Sequence, residues 1–287
     1  MRGKLKFIWL SLLLFFSCGN DHGNIFHVDI VNPLDEGSDI SLVQVAAGSF
    51  LMGSTLLPAY TIITSPGGGQ YISYNPERPV HSVTVQGFKI STREITQEQY
   101  KAVMGVDPSK YSGFSDMPVE QVTWEQAAGF CNKLSEITGL EPCYDLSTWE
   151  CDFSRSGYRL PTEAEWEYTC RAGVPGEYAA AGSQEGLSRV AWYSGNSAST
   201  PHQVAILSAN AAGLYDMQGN VWEWCNDRYG YYNCNSQADP RGPANGQFRT
   251  ARGGSWASTA EDCRVAARRA FDPKQANYTV GFRIVRR

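Results

Sequence analysis

The stretch RLPTEAEWEYTCRAG, residues 159–173, carries a complete helix signal. Thr162 is an N-cap residue, and Glu165 three positions later completes a capping box that satisfies the first free amides of the helix. The glycine that closes the stretch ends the helix, because glycine adopts the left-handed backbone conformation at little cost. Trp166 and Tyr168 lie among charged positions, so the helix has a narrow apolar stripe with which to pack on a sheet.

Two more helices and several strands are predicted around this stretch. Thr96 and Thr123 stand as N-caps before segments with apolar residues at helical spacing, and the second segment stops near Gly139. SLVQVAAGSFLMGS and HSVTVQGFKIST alternate apolar and polar residues, which is typical of strands. Short strands and long loops rich in Gly, Asn, Ser and Trp follow residue 173. The pattern predicts one α+β domain with little regular secondary structure.

The start of the chain has the features of an export signal. Three basic residues precede an apolar run at 7–16 that is too short to span a bilayer, and the run ends in FFSC at Cys18. We therefore predict a lipoprotein signal peptide over 1–17, lipidation of Cys18, a polar tether over 18–41 and the folded domain over 42–287. The alternative is an ordinary secretory signal with a coincidental cysteine. The protein is predicted to be exported and lipid-anchored to a bacterial membrane, at the outer membrane or cell surface.

Charge and cysteine usage exclude some classes of function. A net charge of −5 argues against a nucleic-acid partner, which would need a basic surface. The four histidines are scattered and no C-x-x-C motif occurs, so a zinc site is not expected. Export would place the cysteines in an oxidising compartment. Two spacings, Cys143 with Cys151 and Cys225 with Cys234, suit local disulfides, although sequence cannot fix the connectivity.

Seven segments, in order, resemble the formylglycine-generating enzyme family, also called the sulfatase-modifying factor domain. They are VAAGSFLMGS, ERPVHSVTVQGFKISTREITQEQY, PVEQVTWEQAAGFCNKLS, YRLPTEAEWEYTCRAG, GLYDMQGNVWEWCND, RGGSW and VGFRIV, and they span about residues 42–286. The resemblance implies a C-type-lectin-like fold with a small twisted sheet and outer helices. Trp256 and Phe282 are expected in its core.

The resemblance also implies a calcium site in DMQGNVWEW. Positions matching the family's ligands are the side chains of Asp216 and Glu223 and the carbonyls of Gly219 and Val221. Hard oxygen ligands around a turn suit calcium. The alternative is that these turn carboxylates cap backbone amides.

The family's oxidase chemistry is not expected in this chain. The resemblance implies a copper ion held by two cysteines that follow the GGSW-like segment, and the matching positions here are Ser258 and Cys263. Cu(I) prefers soft sulfur ligands, and a neutral hydroxyl is a poor replacement. We therefore expect no copper and assign no catalytic residue.

The remaining hypothesis concerns the C-terminal segment 252–283, called here the display segment. Short segments that match the family, such as GGSW and GFR, alternate in it with positions that have no evident structural role. In this respect the segment resembles the variable proteins of diversity-generating retroelements. These positions are predicted to bind a protein or surface ligand: Ala257, Ser258, Thr259, Asp262, Phe271, Asp272 and Tyr278. The alternatives are a non-diversified lipoprotein of the same family, a structural envelope-assembly lipoprotein, and a divergent oxidase.

Overall fold

The computed structural model describes residues 28–31, 39–64 and 70–287. The predicted signal peptide and Cys18 lie outside this range. The helices are α1 (Gln97–Met104), α2 (Trp124–Ile137) and α3 (Glu163–Arg171). The strands are β1 (Val28–Val31), β2 (Ile40–Val45), β3 (Gly48–Met52), β4 (Tyr60–Thr64), β5 (Gln70–Tyr74), β6 (His81–Val85), β7 (Phe88–Ser91), β8 (Trp222–Arg228), β9 (Gln237–Ala238), β10 (Arg249–Arg252), β11 (Arg268–Phe271), β12 (Val280–Gly281) and β13 (Val285–Arg286). This confirms the predicted α+β class with little regular secondary structure.

All three helices begin where the sequence predicts. Thr96, Thr123 and Thr162 each accept a hydrogen bond from the amide three residues later, and the side chain of that residue returns one to the cap. These reciprocal bonds satisfy amides that would otherwise lack partners at the helix start. Helix α3 ends as predicted, with Ala172 and Gly173 both in the left-handed region.

Two successive antiparallel strand pairs form the N-terminal part of the domain. The two apolar-alternating segments are each divided into two strands: β2 pairs with β7, and β3 pairs with β6, all antiparallel. The sequence predicts each segment as a single strand, but strand structure is interrupted at residues 46–47 and 86–87, between the two pairs. The first pair joins a sheet of order β1-β2-β7-β13, and the second belongs to a sheet of order β3-β6-β9.

A second four-stranded sheet, of order β11-β10-β8-β12, holds the display segment. Strand β8 lies at its centre, antiparallel to β10 and parallel to β12. Trp222 and Trp224 of β8 are buried with Trp124 of α2. Trp256 and Phe282 are also buried, which confirms their predicted core role.

The N-terminal boundary of the folded part differs from the predicted tether. Residues 28–31 form β1, which pairs with β2 in antiparallel register, and β2 begins at Ile40. The β-branched residues Ile30 and Val31 suit this edge strand. No helix in the described part of the chain is long and apolar enough to cross a membrane.

Helix α3 is held by buried ion pairs. The charged positions beside its predicted apolar stripe are not exposed to solvent, because all three of its glutamates are buried. Glu163 bonds Arg268 at 2.5 Å, Glu165 bonds Arg159 at 2.7 Å, and Glu167 bonds both Arg252 and Arg171. A buried charge is tolerated when it is paired and hydrogen-bonded. Arg171 belongs to α3 itself, whereas Arg252 and Arg268 reach the helix from the C-terminal part of the chain.

We predict that Glu167→Gln destabilises the fold by about 3–5 kcal/mol, because it removes the charge that compensates buried Arg252. The measurement is the free energy of unfolding from urea titration. Glu136→Gln is the matched control, since Glu136 lies on exposed helix surface beside Lys133. A loss for Glu167→Gln as small as that of the control would contradict this role.

Candidate functional site

Four arginines anchor the display segment to the rest of the domain. Each forms an ion pair with a buried glutamate from outside the segment: Arg252 with Glu167, Arg264 with Glu77, Arg268 with Glu163, and Arg283 with Glu223. Paired guanidinium–carboxylate bonds fix orientation as well as position. The backbone of the segment is thus held at four places.

Two glycines let the segment fold tightly after β10. Gly253 and Gly254 have φ values of 98° and 81°, a region that side-chain-bearing residues rarely adopt. A Cβ on Gly254 would also lie 2.6 Å from the sulfur of Cys263. The turn therefore requires glycine for two independent reasons, as the GGSW segment suggested.

An aromatic cluster forms beside this turn. Trp256 packs its ring on Tyr111 at 5.3 Å and on Tyr278 at 6.1 Å between centroids. The ammonium of Lys110 lies 4.2 Å from the centroid of the Tyr278 ring. Trp256 is buried, whereas Tyr278 is 42% exposed, so the cluster has a core side and a solvent side.

The structure places the seven predicted binding positions in different surroundings. Ala257, Thr259 and Tyr278 are exposed, and Asp262 and Asp272 are partly buried. Phe271 is also partly buried, with its ring against Trp222 and Trp224 at 6.2 and 5.8 Å. Ala257 and Thr259 flank buried Ser258 directly after Trp256, so they share the neighbourhood of the aromatic cluster, while Phe271 packs on the central strand β8.

Ser258 differs from the expectation of an exposed contact residue. It is only 5% exposed, and its hydroxyl accepts a hydrogen bond from the Ser255 amide at 3.0 Å. Its carbonyl accepts from the Ser194 amide at 2.9 Å. The first bond closes the turn and the second attaches it to a distant loop, so Ser258 acts as an anchor between two exposed neighbours.

The two positions that match the copper cysteines meet at one backbone amide. The Ser255 N–H that bonds the Ser258 hydroxyl also lies within hydrogen-bonding reach of the Cys263 thiol. Burial raises the pKa of Cys263 well above its usual range, and the charges of Asp262 and Glu261 raise it further. One hydroxyl and one buried, protonated thiol do not fit Cu(I), which needs thiolate sulfur.

The predicted calcium loop is buried, and its donors are partly engaged. Both oxygens of Glu223 accept from Arg283, at 2.5 and 2.6 Å, and one also accepts from the Trp166 indole at 2.7 Å. Asp216 uses one oxygen to accept from the Ala205 amide at 2.7 Å, which is the capping alternative. Its other oxygen is buried without a hydrogen-bond partner. Of the two predicted side-chain ligands, only Asp216 therefore has an oxygen free for calcium, and no group of three or more His, Cys, Asp or Glu side chains in the described residues is placed to hold a metal.

Acidic groups outnumber basic ones around this loop. Glu94 accepts from the Val221 amide and from Asn220, and burial raises its pKa well above the usual range, with Asp216 and Glu223 adding to the effect. Burial also raises the pKa of Asp216 to about 6. The positive charge of Arg283 acts on all three carboxyls, and that of Arg93 also acts on Asp216. Glu94 was not identified from the sequence because it lies far upstream.

Lys110 and Tyr111 were also missed. They come from the loop between α1 and α2, more than 140 positions before the aromatic cluster that they complete. Nothing in their local sequence marks them as site residues. Only the tertiary packing of that loop against the display segment reveals them.

A separate cavity lies at the start of α3. Its volume is about 450 Å³, and its lining includes His81, Glu163, Asp227, Tyr232 and Arg268. Asp227 accepts from the Glu163 amide at 3.0 Å. Burial, together with the negative charge of Glu163, raises the pKa of Asp227 to about 8.

Comparisons with known proteins agree with this architecture. The family profile described as "Sulfatase-modifying factor enzyme 1-like domain" matches residues 31–287. The solved structure titled "Treponema denticola variable protein 1" superposes with a TM-score of 0.79 at 31% identity, covering 91% of this chain and 99% of that one.

Two curated relatives are similar over most of the chain. "Chaperone protein LppX" of Paenibacillus barcinonensis is 30% identical over 253 residues, which is 76% of this chain and 87% of that protein. "Serine/threonine-protein kinase pkn1" of Chlamydia caviae is 32% identical over 260 residues, which is 79% of this chain. The chain spans only 38% of the length of that kinase.

Calcium titration decides between metal binding and capping at the loop. If Asp216 contributes to a calcium site, calcium should raise the Tm of the wild type with increasing concentration, because the ion binds only the folded state. Asp216→Asn should abolish that rise. A wild-type Tm that responds neither to calcium nor to a chelator would leave capping as the role of this carboxylate.

We also predict that Asp227→Asn makes stability less dependent on pH. The folded state holds this proton until about pH 8, whereas an unfolded Asp loses it near pH 3.9. Stability therefore falls as the pH rises between these values, since the folded state binds more protons there. Asparagine keeps the acceptor oxygen but does not titrate.

The Tm of Asp227→Asn minus that of the wild type should increase from pH 4 to pH 8. Glu136→Gln, at an exposed position, serves as the control and should show a constant difference. A constant difference for Asp227→Asn would mean that this carboxyl is ionised in the folded protein.

Proposed function

Because the chain belongs to the sulfatase-modifying factor enzyme 1-like domain family, we propose that it uses that fold as a scaffold for a binding surface. In this proposal the protein is a noncatalytic, surface-anchored lipoprotein. Its display segment, residues 252–283, contacts a protein or surface ligand. The observation that carries the proposal is the alternation of exposed and anchored residues after the glycine turn.

The contact residues in this proposal are the exposed and partly buried members of the predicted set. Tyr278 offers an aromatic face with few rotatable bonds, and Thr259 and Asp262 offer adaptable polar contacts, a combination typical of evolved binding surfaces. The arginine ion pairs and Trp256 hold the backbone beneath them. Side chains on top can then change without loss of the fold.

Chemistry at the site argues against the oxidase alternative. The positions matching the copper ligands hold a bonded hydroxyl and a buried thiol, so the soft ligand pair is incomplete. Similarity to a protein titled a variable protein supports a surface whose sequence varies.

We further propose that the protein is exported and anchored by a lipid on Cys18. The support is the basic and apolar start of the chain, which leads directly to FFSC. A relative named LppX, which is described as a chaperone protein, is consistent with a noncatalytic binding role. In this arrangement the residues between Cys18 and β1 connect the domain to the membrane.

The proposal predicts a sharp contrast between anchor and display positions. Ala257→Ser and Thr259→Asn should change the free energy of unfolding by no more than about 0.5 kcal/mol, because both side chains are exposed. Trp256→Ala should cost about 3–5 kcal/mol, because it empties a buried aromatic site. Equal losses at all three positions would show that the segment is ordinary core.

Binding itself is tested with a library randomised at the six accessible positions: 257, 259, 262, 271, 272 and 278. Cells that display the library are sorted for binding to fluorescent lysozyme, used as an arbitrary protein probe. The control library randomises six exposed positions elsewhere: Lys133, Glu136, Ser154, Ser183, Gln184 and Glu185. Folded lysozyme binders should arise from the first library and not from the second. Equal yields, or binders that are unfolded, would refute a specialised display segment.

A further inference from the structure

Cys143 and Cys151 bracket a short loop that the described structure holds closed. Tyr144 pairs with Cys151 in an antiparallel bridge. The Asp152 amide donates to the Cys143 carbonyl at 2.8 Å, and the Asp145 amide donates to the Glu150 carbonyl at 3.0 Å. This pairing sets Cys151 opposite Tyr144 and Cys143 opposite Asp152, so the two cysteines are offset by one position across the bridge, a backbone separation that a disulfide can span.

The two thiols contact one another in this arrangement. Each is within hydrogen-bonding reach of the other. The bond from Cys151 lowers the pKa of Cys143, and the guanidinium of Arg159 acts in the same direction, while burial opposes both. A thiolate is the reactive form in disulfide exchange. The pair therefore combines proximity with a sulfur that ionises readily.

The other cysteines lack these features. Cys131 is the third sulfur near the pair, but it lies fully buried on α2, and burial raises its pKa well above the usual range. The second spacing noted in the sequence does not bring its sulfurs to a common environment. Cys225 is buried in β8, where its thiol donates to the Glu223 carbonyl, while Cys234 is exposed in a loop.

We propose that Cys143 and Cys151 form a disulfide that closes the 143–151 loop. The oxidant is a disulfide, either of an oxidoreductase or of a small thiol compound. One cysteine thiolate attacks a sulfur of this donor, forming a mixed disulfide and expelling the first donor thiolate. The second cysteine attacks the protein sulfur of the mixed disulfide and expels the other. The two cysteine protons pass to the two donor thiolates, and the donor is reduced by two electrons.

The linkage would secure a loop that contributes to the core. Trp149, inside the loop, packs its ring edge-on against Trp124 at 6.3 Å. Glu150 forms an ion pair with Arg228 of β8 at 3.1 Å. A covalent closure restricts the unfolded loop and so favours the state in which these contacts exist.

The tryptic map of this chain separates the competing linkages. Cleavage after Lys133 and Arg155 leaves Cys143 and Cys151 together in the peptide 134–155, whereas Cys131 falls in the preceding peptide, 111–133. The purified full chain is incubated with oxidised glutathione, alkylated under denaturing conditions, digested and weighed. The proposed bond gives a 134–155 peptide that lacks alkyl groups and is lighter than its reduced form by two hydrogen atoms.

Three other results would overturn the proposal: a 134–155 peptide with two alkyl groups, a persistent glutathione adduct, or a cross-link between the 111–133 and 134–155 peptides. Cys151→Ser should give a peptide with one free, alkylated Cys143. Cys234→Ser, which alters an exposed thiol outside the loop, should behave as wild type. A reductant should lower the Tm of the oxidised wild type and leave that of Cys151→Ser unchanged. Because the oxidant is supplied in vitro, the outcome does not depend on the proposed export or binding role.

Discussion

Buried pairing between arginines and glutamates holds this structure together. Helix α3 presents Glu163, Glu165 and Glu167 to guanidinium groups, two of which come from the display segment. A buried arginine or glutamate without its partner would leave an uncompensated charge in the core, so each arginine must lie against its own glutamate. Apolar contacts of similar area would tolerate sliding, whereas a bidentate ion pair does not. The ion pairs therefore determine the position of the display segment in the fold.

Local signals were predictable from the sequence, whereas long-range partners were not. The three threonine caps depend on neighbours within one helical turn, so the pattern alone places α1, α2 and α3. The class of fold followed from the ordered segments shared with the family. The partners of Arg264 and Arg268 lie 187 and 105 residues away, and no local rule relates residues at such distances.

The exposure of the predicted contact positions agrees with the sequence pattern at some residues and differs from it at others. Exposure at Ala257, Thr259 and Tyr278 agrees with the alternation of residues in the segment, but Ser258 is bonded inward because the turn needs an acceptor for the Ser255 amide. The same amide lies between the two positions that match metal-binding cysteines. At the position that matches the first family cysteine, the Ser258 hydroxyl thus has a structural role in the turn.

The order in which the anchors occur along the chain has a consequence for biosynthesis. Glu77, Glu163 and Glu223 are made before the arginines that neutralise them, since Arg264, Arg268 and Arg283 all follow these glutamates in the chain. Until these residues leave the ribosome, the domain contains carboxylates without partners and cannot close its core. A polypeptide interrupted within the display segment would lack the groups needed to complete folding and would remain a substrate for proteases. Only chains that carry the whole segment would reach the folded state, so every folded molecule would contain a complete display segment.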